Sequence, residues 1–302
     1  MSNPERDPAE LICAAGVADG VEVMTPRDVP LGGPRAMTVR RTLPQRQRSL
    51  IGAWCFVDHY GPDDVGHTGE IEHRDSAGHH AMVRPGEVNL MTSGHGISHS
   101  EMSTPGTTTL HRPQLWVALP AAARDTAPAF AHHAPTPVTG GGWEARVFLG
   151  SLLGDTSPVE TATPLLGAEL VLAARTTLDL AVDPSYELGL LVDQGRVEVA
   201  GTAAAAHDLV YVPPGRTDVR LVAGDEPVRA LLLGGPPFGE SIVMWWNFVG
   251  RSHEEIVGFR EEWQAQVTDA GLVDGRFGMP AGDANAPIPA PPMPHVRLKE
   301  RR

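Results

Sequence analysis

The chain has 302 residues, with 24 Lys and Arg against 37 Asp and Glu and a formal net charge of -13. That length holds two domains of roughly 150 residues, each able to bury a core, while the negative field argues against a nucleic-acid partner. Two cysteines, Cys13 and Cys55, form no disulfide framework, and 33 Gly with 28 Pro favour many short strands joined by tight turns.

The N-terminal stretch MSNPERDPAELICAAG has an acidic start and no basic-then-apolar signal pattern. No run approaches the roughly 18 apolar residues of a membrane span, so the expectation is a soluble cytoplasmic protein without membrane contact. Short apolar or alternating runs then predict strands at 37–39, 54–57, 87–91, 114–119, 146–149, 169–173, 187–192, 197–199, 209–212 and 230–233. Gly61-Pro62, Pro85-Gly86, Gly140 to Gly142 and Pro213-Pro214-Gly215 punctuate them. Regular short strands with such turns read as a β-sandwich or barrel. Residues 120–142, rich in Ala, Pro and Gly, read as a connector between halves. One helix is predicted near the C-terminus: Ser252 caps it, Glu255 reaches back as in a capping box, and Ile256, Phe259 and Trp263 share a face. The aromatic run from Met244 to Phe248 suits core or interdomain packing better than a cofactor site. Beyond Thr268 the chain reads as an extended tail ending in a solvated basic cluster.

The two halves repeat a pattern. Glu70 to His73, Gly78, Glu87 to Met91 and Ser93-Gly94 match Arg196 to Val199, Gly201, His207 to Val212 and Pro214-Gly215 in order. The second half has a strand over 187–192 just before its first matched strand. The first half offers only turn-like residues from Asp63 to Gly69 there, so one strand or a strand pair is missing from it.

The residues with most chemistry are His99 and Glu101. Alternation along a strand points both side chains the same way, supplying an imidazole nitrogen and a carboxylate oxygen to one metal. One more histidine would complete the set of two histidines and a carboxylate that suits non-heme Fe(II). The His99 to Glu101 stretch also reads as a surface strand with polar residues. His95 lies on the same face only if the strand extends through Gly96, and a turn is the simpler reading. His59 and His73 read as hydrogen-bonded structural histidines, and His79 and His80 as exposed turn residues. In the second half Arg216 and Arg220 stand where ligands would, so that barrel is expected to be purely structural. No Gly-x-Ser-x-Gly elbow, phosphate loop, Cys-x-x-Cys pair or dinucleotide fingerprint is present. Neither cysteine has the basic neighbourhood of a reactive thiolate.

The segments GEIEHRDSAG (69–78), RPGEVNLMTSGHGISHSE (84–101), LHRPQLWVALP (110–120) and LLGGPPFGESIVMWWNFVGRSHEEI (232–256) closely resemble the pirin family, over most of the chain from about Thr42 to Trp263. The resemblance implies an all-β bicupin fold, two tandem cupin β-barrels with a C-terminal helix. Its expected limits are an N-terminal cupin over 1–125 lacking one or two strands, a C-terminal cupin over 126–268 and an extended Pro-rich tail over 269–302. It also implies one Fe(II) site in the N-terminal half, which in the family uses a His-Pro-His segment and a His-x-Glu pair. The latter maps onto His99 and Glu101. The former has no counterpart, because the stretch from Pro62 to Gly69 is shortened; His67 resembles a remnant of its second histidine. The metal ligands expected are therefore His99, Glu101 and His67. Glu101 is also the expected catalytic residue, accepting a substrate hydroxyl proton as general base. The resemblance implies a quercetin (flavonol) 2,3-dioxygenase acting on a flavonol-like small molecule. The alternative is a non-enzymatic, metal- or redox-responsive regulatory protein that docks on a protein partner.

Overall fold

Alternation of buried and exposed residues shapes the outer strands, while the central ones are buried on both faces. Thr177–Ala181 buries Leu178 and Leu180 and exposes the residues between them, whereas Glu187–Gln194 is buried from Leu188 to Asp193. The computed structural model of the chain describes residues 20–31, 37–64, 70–104, 109–268, 271–283 and 285–301.

The first half contains β2 (Arg27–Leu31), β3 (Met37–Leu43), β4 (Trp54–Asp64), β5 (Ile71–Asp75), β6 (His80–Val83), β7 (Val88–Thr92), β8 (His99–Ser103) and β9 (Thr109–Val117). The strand before them, β1 (Glu22–Met24), pairs with the second half; the strand after them, β10 (Ala129–His133), pairs with β7. The second half comprises β11 (Val138–Gly140), β12 (Trp143–Leu149), a small hairpin of β13 (Ser151–Leu152) and β14 (Asp155–Thr156), and β15 (Leu166–Leu172). It continues through β16 (Thr177–Ala181), β17 (Glu187–Gln194), β18 (Arg196–Val199), β19 (Thr202–Ala205), β20 (Leu209–Val212), β21 (Asp218–Ala223) and β22 (Val228–Gly235). A last hairpin, β23 (Val243–Trp245) and β24 (Phe248–Gly250), leads into α1 (His253–Gln266). The stretch 120–142 is thus more than a connector, since it supplies β10 to the first half and β11 to the second.

In the second half a seven-stranded sheet, β1-β20-β17-β22-β15-β12-β11, faces a four-stranded one, β16-β21-β18-β19. Leu and Val side chains of both fill the space between, among them Leu170, Leu180, Leu190, Val199, Val219, Leu221 and Leu232. The first half repeats this order with two vacant places. The group β8-β5-β6 matches β21-β18-β19, and β7 and β9 match β20 and β22. Among the described residues nothing pairs with β8 as β16 pairs with β21, and nothing lies between β7 and β9 as β17 lies between β20 and β22. The strand pair missing from the sequence repeat therefore corresponds to β16 and β17.

The halves meet along a buried apolar seam. Leu43, Ile51, Trp54 and Val57 from the first half pack with Leu191, Leu209, Tyr211 and Leu233 from the second. Trp54 Nε1 donates to the Gly234 carbonyl at 3.1 Å, and the Gly52 N–H donates to Glu187 Oε2 at 2.7 Å. Gly52 has φ +52°, and a Cβ there would lie 2.9 Å from Gly235 Cα.

Ser252 caps α1, its side chain accepting from the Glu255 N–H. The Glu255 carboxylate reaches back to the Arg251 N–H at 2.7 Å and is also held by Arg124, one residue short of a reciprocal capping box. Ile256, Phe259 and Trp263 pack with Trp245, Trp246, Phe248, Phe277 and Leu298, so the aromatic run is packing material and the tail docks on it. The basic end of the tail is partly paired, Arg297 with Glu254 at 2.8 Å. Among the described residues no helix is long and apolar enough to cross a membrane.

Two outcomes follow, one from the seam and one from the separate apolar cluster of Leu50, Cys55, Ala118 and Ile242. Gly52→Ala meets both an unfavourable φ and the backbone of Gly235, and is expected to cost about 1–3 kcal/mol, read as a lower urea midpoint at unchanged slope. Cys55 is fully buried, and burial pushes its thiol pKa up to about 12. A Cys13→Ser protein should therefore leave a thiol reagent unreacted at pH 8 until it is unfolded.

Candidate metal centre

The pairing of β5 with β8 assembles a polar cluster on one face of the three-stranded sheet. Along β8, His99 and Glu101 point the same way; in the antiparallel register His73 lies opposite Glu101, and Asp75 opposite His99. One ligand atom from each of His73, His99 and Glu101 lies within 4.8 Å of the others. His73, read from sequence as a structural histidine, thus joins the two residues expected as ligands. His67 lies outside the described residues.

Hydrogen bonds fix the cluster. His73 Nδ1 faces Glu101 Oε1 at 3.9 Å, and His73 Nε2 lies 3.3 Å from Asp75 Oδ2. Asp75 in turn accepts from the backbone N–H groups of Ala77 and His79 and contacts His79 Nδ1 at 3.1 Å. A carboxylate behind a histidine sets its tautomer and ring orientation, as it does around bound metals. Phe130 of β10 stacks on His73 with ring centroids 4.9 Å apart, closing one side. His80 is exposed and held by Glu72, and His95 sits exposed in the turn before β8, its N–H donating to the Thr126 carbonyl. Neither approaches the cluster.

Burial drives the His99 pKa down from 6.5 to about 4, so its imidazole is neutral at physiological pH. Its Nδ1 is buried without a hydrogen-bond partner. Burial alone would raise the Glu101 carboxyl; the Arg112 guanidinium is among the groups that hold it well below the ordinary carboxylate range. Arg112 Nη2 donates to Glu101 Oε2 at 2.6 Å, and its Nε donates to the Tyr60 hydroxyl. Two imidazoles, an ionised carboxylate and an orphaned buried nitrogen fit a divalent metal ion. Arg112 was not singled out from sequence; its link to Glu101 depends on where β9 falls beside β4, which no local motif encodes.

The repeat shows what surrounds this set. In register, His73, His99 and Glu101 match Val199, Val219 and Leu221, all buried in the second-half core. The expectation that Arg216 and Arg220 occupy the ligand places is corrected here: Arg220 points to solvent and pairs with Asp179 at 2.6 Å, while its neighbours Val219 and Leu221 point inward. Next to them β16 lays Leu180 opposite Val219 and Leu178 opposite Leu221. These two inward positions, two residues apart, are where a His-x-His pair would stand beside β8. Among the described residues no strand supplies them. The cluster borders instead a cavity of about 2340 Å³ walled in part by Arg112, Trp116, Phe130 and Phe277, well above the roughly 300–1,000 Å³ usual for a small-molecule site.

Comparisons with known proteins agree with this architecture. Residues 66–117 match the Pirin family model, and residues 167–269 match that of the Pirin C-terminal cupin domain. A Pseudomonas aeruginosa protein named "Putative quercetin 2,3-dioxygenase" is 41% identical over 297 residues, covering 90% of this chain and 90% of its own. A pirin-like protein of Caulobacter vibrioides is 32% identical, covering 84% of this chain and 94% of its own. Among solved structures, the crystal structure of quercetin 2,3-dioxygenase from Acinetobacter baumannii superposes with a TM-score of 0.83 at 33% identity, covering 93% of this chain and 98% of that one. A bacterial pirin from Escherichia coli in complex with nickel(II) gives a TM-score of 0.55 at 18% identity, covering 72% and 99%, which bears on the fold alone. With both family models matched in order and the strand order of one half repeated in the other, the chain belongs to the pirin family of bicupins.

Proposed function

We propose that the chain is a mononuclear metalloprotein of the first half, with Fe(II) held by His73, His99 and Glu101, and that it acts as a quercetin (flavonol) 2,3-dioxygenase. The observation that carries this reading is the convergence of two imidazoles and one carboxylate on one face of β5 and β8, beside an open cavity. Two histidines and a carboxylate leave open coordination positions, the arrangement that suits non-heme Fe(II). Bound there, the iron would act as a Lewis acid toward a coordinated hydroxyl and offer a position for oxygen.

The protein's own groups divide the remaining work. Arg112 holds Glu101 Oε2, leaving Oε1 on the side of His73. Because Glu101 stays ionised, it is a standing acceptor for a substrate hydroxyl proton, though a weak base that needs an acidified donor. Asp75 and His79 keep the His73 ring in place, and Phe130 shields one side from water. A flavonol's flat rings suit the apolar walls supplied by Trp116 and Phe277.

A second reading is favoured by the vacant place beside β8. With three ligands and, among the described residues, no strand matching β16, the site also suits a metal- or redox-responsive protein that signals to a partner without turnover. After anaerobic Fe(II) loading and desalting, the wild type is expected to retain close to one iron at this cluster, and His99→Ala and His73→Ala to bind it at least about tenfold more weakly. Loaded wild type should consume oxygen with quercetin, and Glu101→Ala should abolish that uptake. Iron retained without oxygen uptake would select the second reading; no iron retained by the cluster would sink both.

A further inference from the structure

A second group of ligand-type side chains lies at the boundary between the halves, and neither the centre on β5 and β8 nor the second-half core uses it. In β17 the register against β22 slips between Val192 and Gln194, leaving Asp193 as a bulge residue with no cross-strand partner. Bulges re-aim side chains. This one carries the Asp193 carboxylate toward the first half, where β4 and β9 lie side by side. Asp193 Oδ1 sits 2.8 Å from His59 Nε2 and 2.6 Å from His111 Nε2, so both imidazoles converge on one oxygen. His59 and Asp193 are buried, and His111 borders the cavity, giving a route for an ion. His207, in the turn before β20 with φ +77°, has its ring centroid 5.3 Å from that of His59. The Nδ1 atoms of His59 and His207 are both buried and unpartnered. Two cations face the group: Arg229, its Nε 3.7 Å from Asp193 Oδ2 and its guanidinium held by Glu169 at 2.6 Å, and Arg40, opposite His59 in the register and acting on His207.

We propose that His59, His111 and Asp193 form a second divalent-metal site, of the zinc type, that clips the two halves together. Two imidazoles and one carboxylate make a donor set that suits Zn²⁺ and its late first-row neighbours. Around a tetrahedral zinc, with ligand bonds of about 2.0–2.1 Å, donor atoms lie roughly 3.3 Å apart. The two Asp–His contacts need to open by only about 0.5–0.7 Å to admit the ion. The fourth position falls to water or, after a turn rearrangement, to His207. Because two ligands come from the first half and one from the second, the ion would join parts of the chain that otherwise meet through the apolar seam. Any ligand that binds only the folded chain raises its stability by mass action.

The test separates this site from the centre on β5 and β8 by working in a His99→Ala/Glu101→Gln background. Metal-free full-length protein of that background is titrated with Co²⁺, read by its visible absorption, and with Zn²⁺, read by metal content after desalting and by thermal melting. The site predicts one retained equivalent and a metal-dependent rise in Tm, both lost when Asp193→Asn is added. His111→Gln, on the accessible side of the cluster, answers the same question if Asp193→Asn fails to fold by circular dichroism. A background protein that retains no metal, or one whose retention neither substitution changes, would overturn the proposal.

Discussion

Burial of Ile51, Trp54 and Val57 against Leu191, Leu209 and Leu233 joins the two halves, and the geometry of the first half rests on that seam. A sheet with vacant strand positions cannot close through its own hydrogen bonds. The first half breaks into three pieces, β2-β3-β4-β9, β6-β5-β8 and β7-β10. The first of these is anchored on the second half through β4, with Gly52 against Gly235 and the Trp54 indole on Gly234. The second is held from outside the sheet: Ser98 donates its N–H to the Phe277 carbonyl at 2.7 Å and its hydroxyl to that of Gly278 at 2.9 Å. The tail thereby ties the strand pair that carries His73, His99 and Glu101 to α1 and its aromatic cluster.

The two halves show what one strand order does with opposite fillings. The second half places Leu178, Leu180, Val199, Val219 and Leu221 inward and becomes a dry apolar core. The first places His73, His99 and Glu101 at the last three of these positions and borders a cavity. Buried polar groups of this kind cost free energy unless they find partners. Glu101 finds Arg112, and His73 finds Asp75, while His99 Nδ1 finds none. That residual demand, within a shell of hydrogen bonds that already orients the other two side chains, is the physical argument for a metal at this place rather than a merely polar core.

Much of this was legible in the sequence. Alternation identified His99 and Glu101 as a same-facing pair, and the comparison of Asp63 to Gly69 with the strand before Arg196 exposed the missing strand pair. Period and punctuation placed β7, β12, β15, β17, β18, β20 and β22 within a few residues of their observed limits; β4 runs well past its predicted end, β9 starts upstream of its predicted run, and β6, β10, β11, β16, β19 and β21 lie outside the predicted runs. What stayed hidden depends on cross-strand register and on pairing between distant segments. His73 becomes a neighbour of Glu101 only because β5 runs antiparallel to β8 with those two residues opposed. Arg112 reaches Glu101 from β9, and Phe130 reaches His73 from a stretch that read as a connector. Arg220 misled because a basic residue in the matching segment looks like a ligand replacement until the pleat shows that its neighbours face inward. Asp193 was invisible because a bulge shifts side-chain direction without leaving a pattern in the residue types.

The central claim is that His73, from the strand beside His99 and Glu101, supplies the second imidazole to the metal. Iron K-edge X-ray absorption on the anaerobically loaded protein counts imidazole ligands through their multiple scattering. The account predicts two imidazoles in the wild type and one in His73→Ala loaded at high iron. An unchanged imidazole count in His73→Ala would contradict it and hand that coordination position to another histidine.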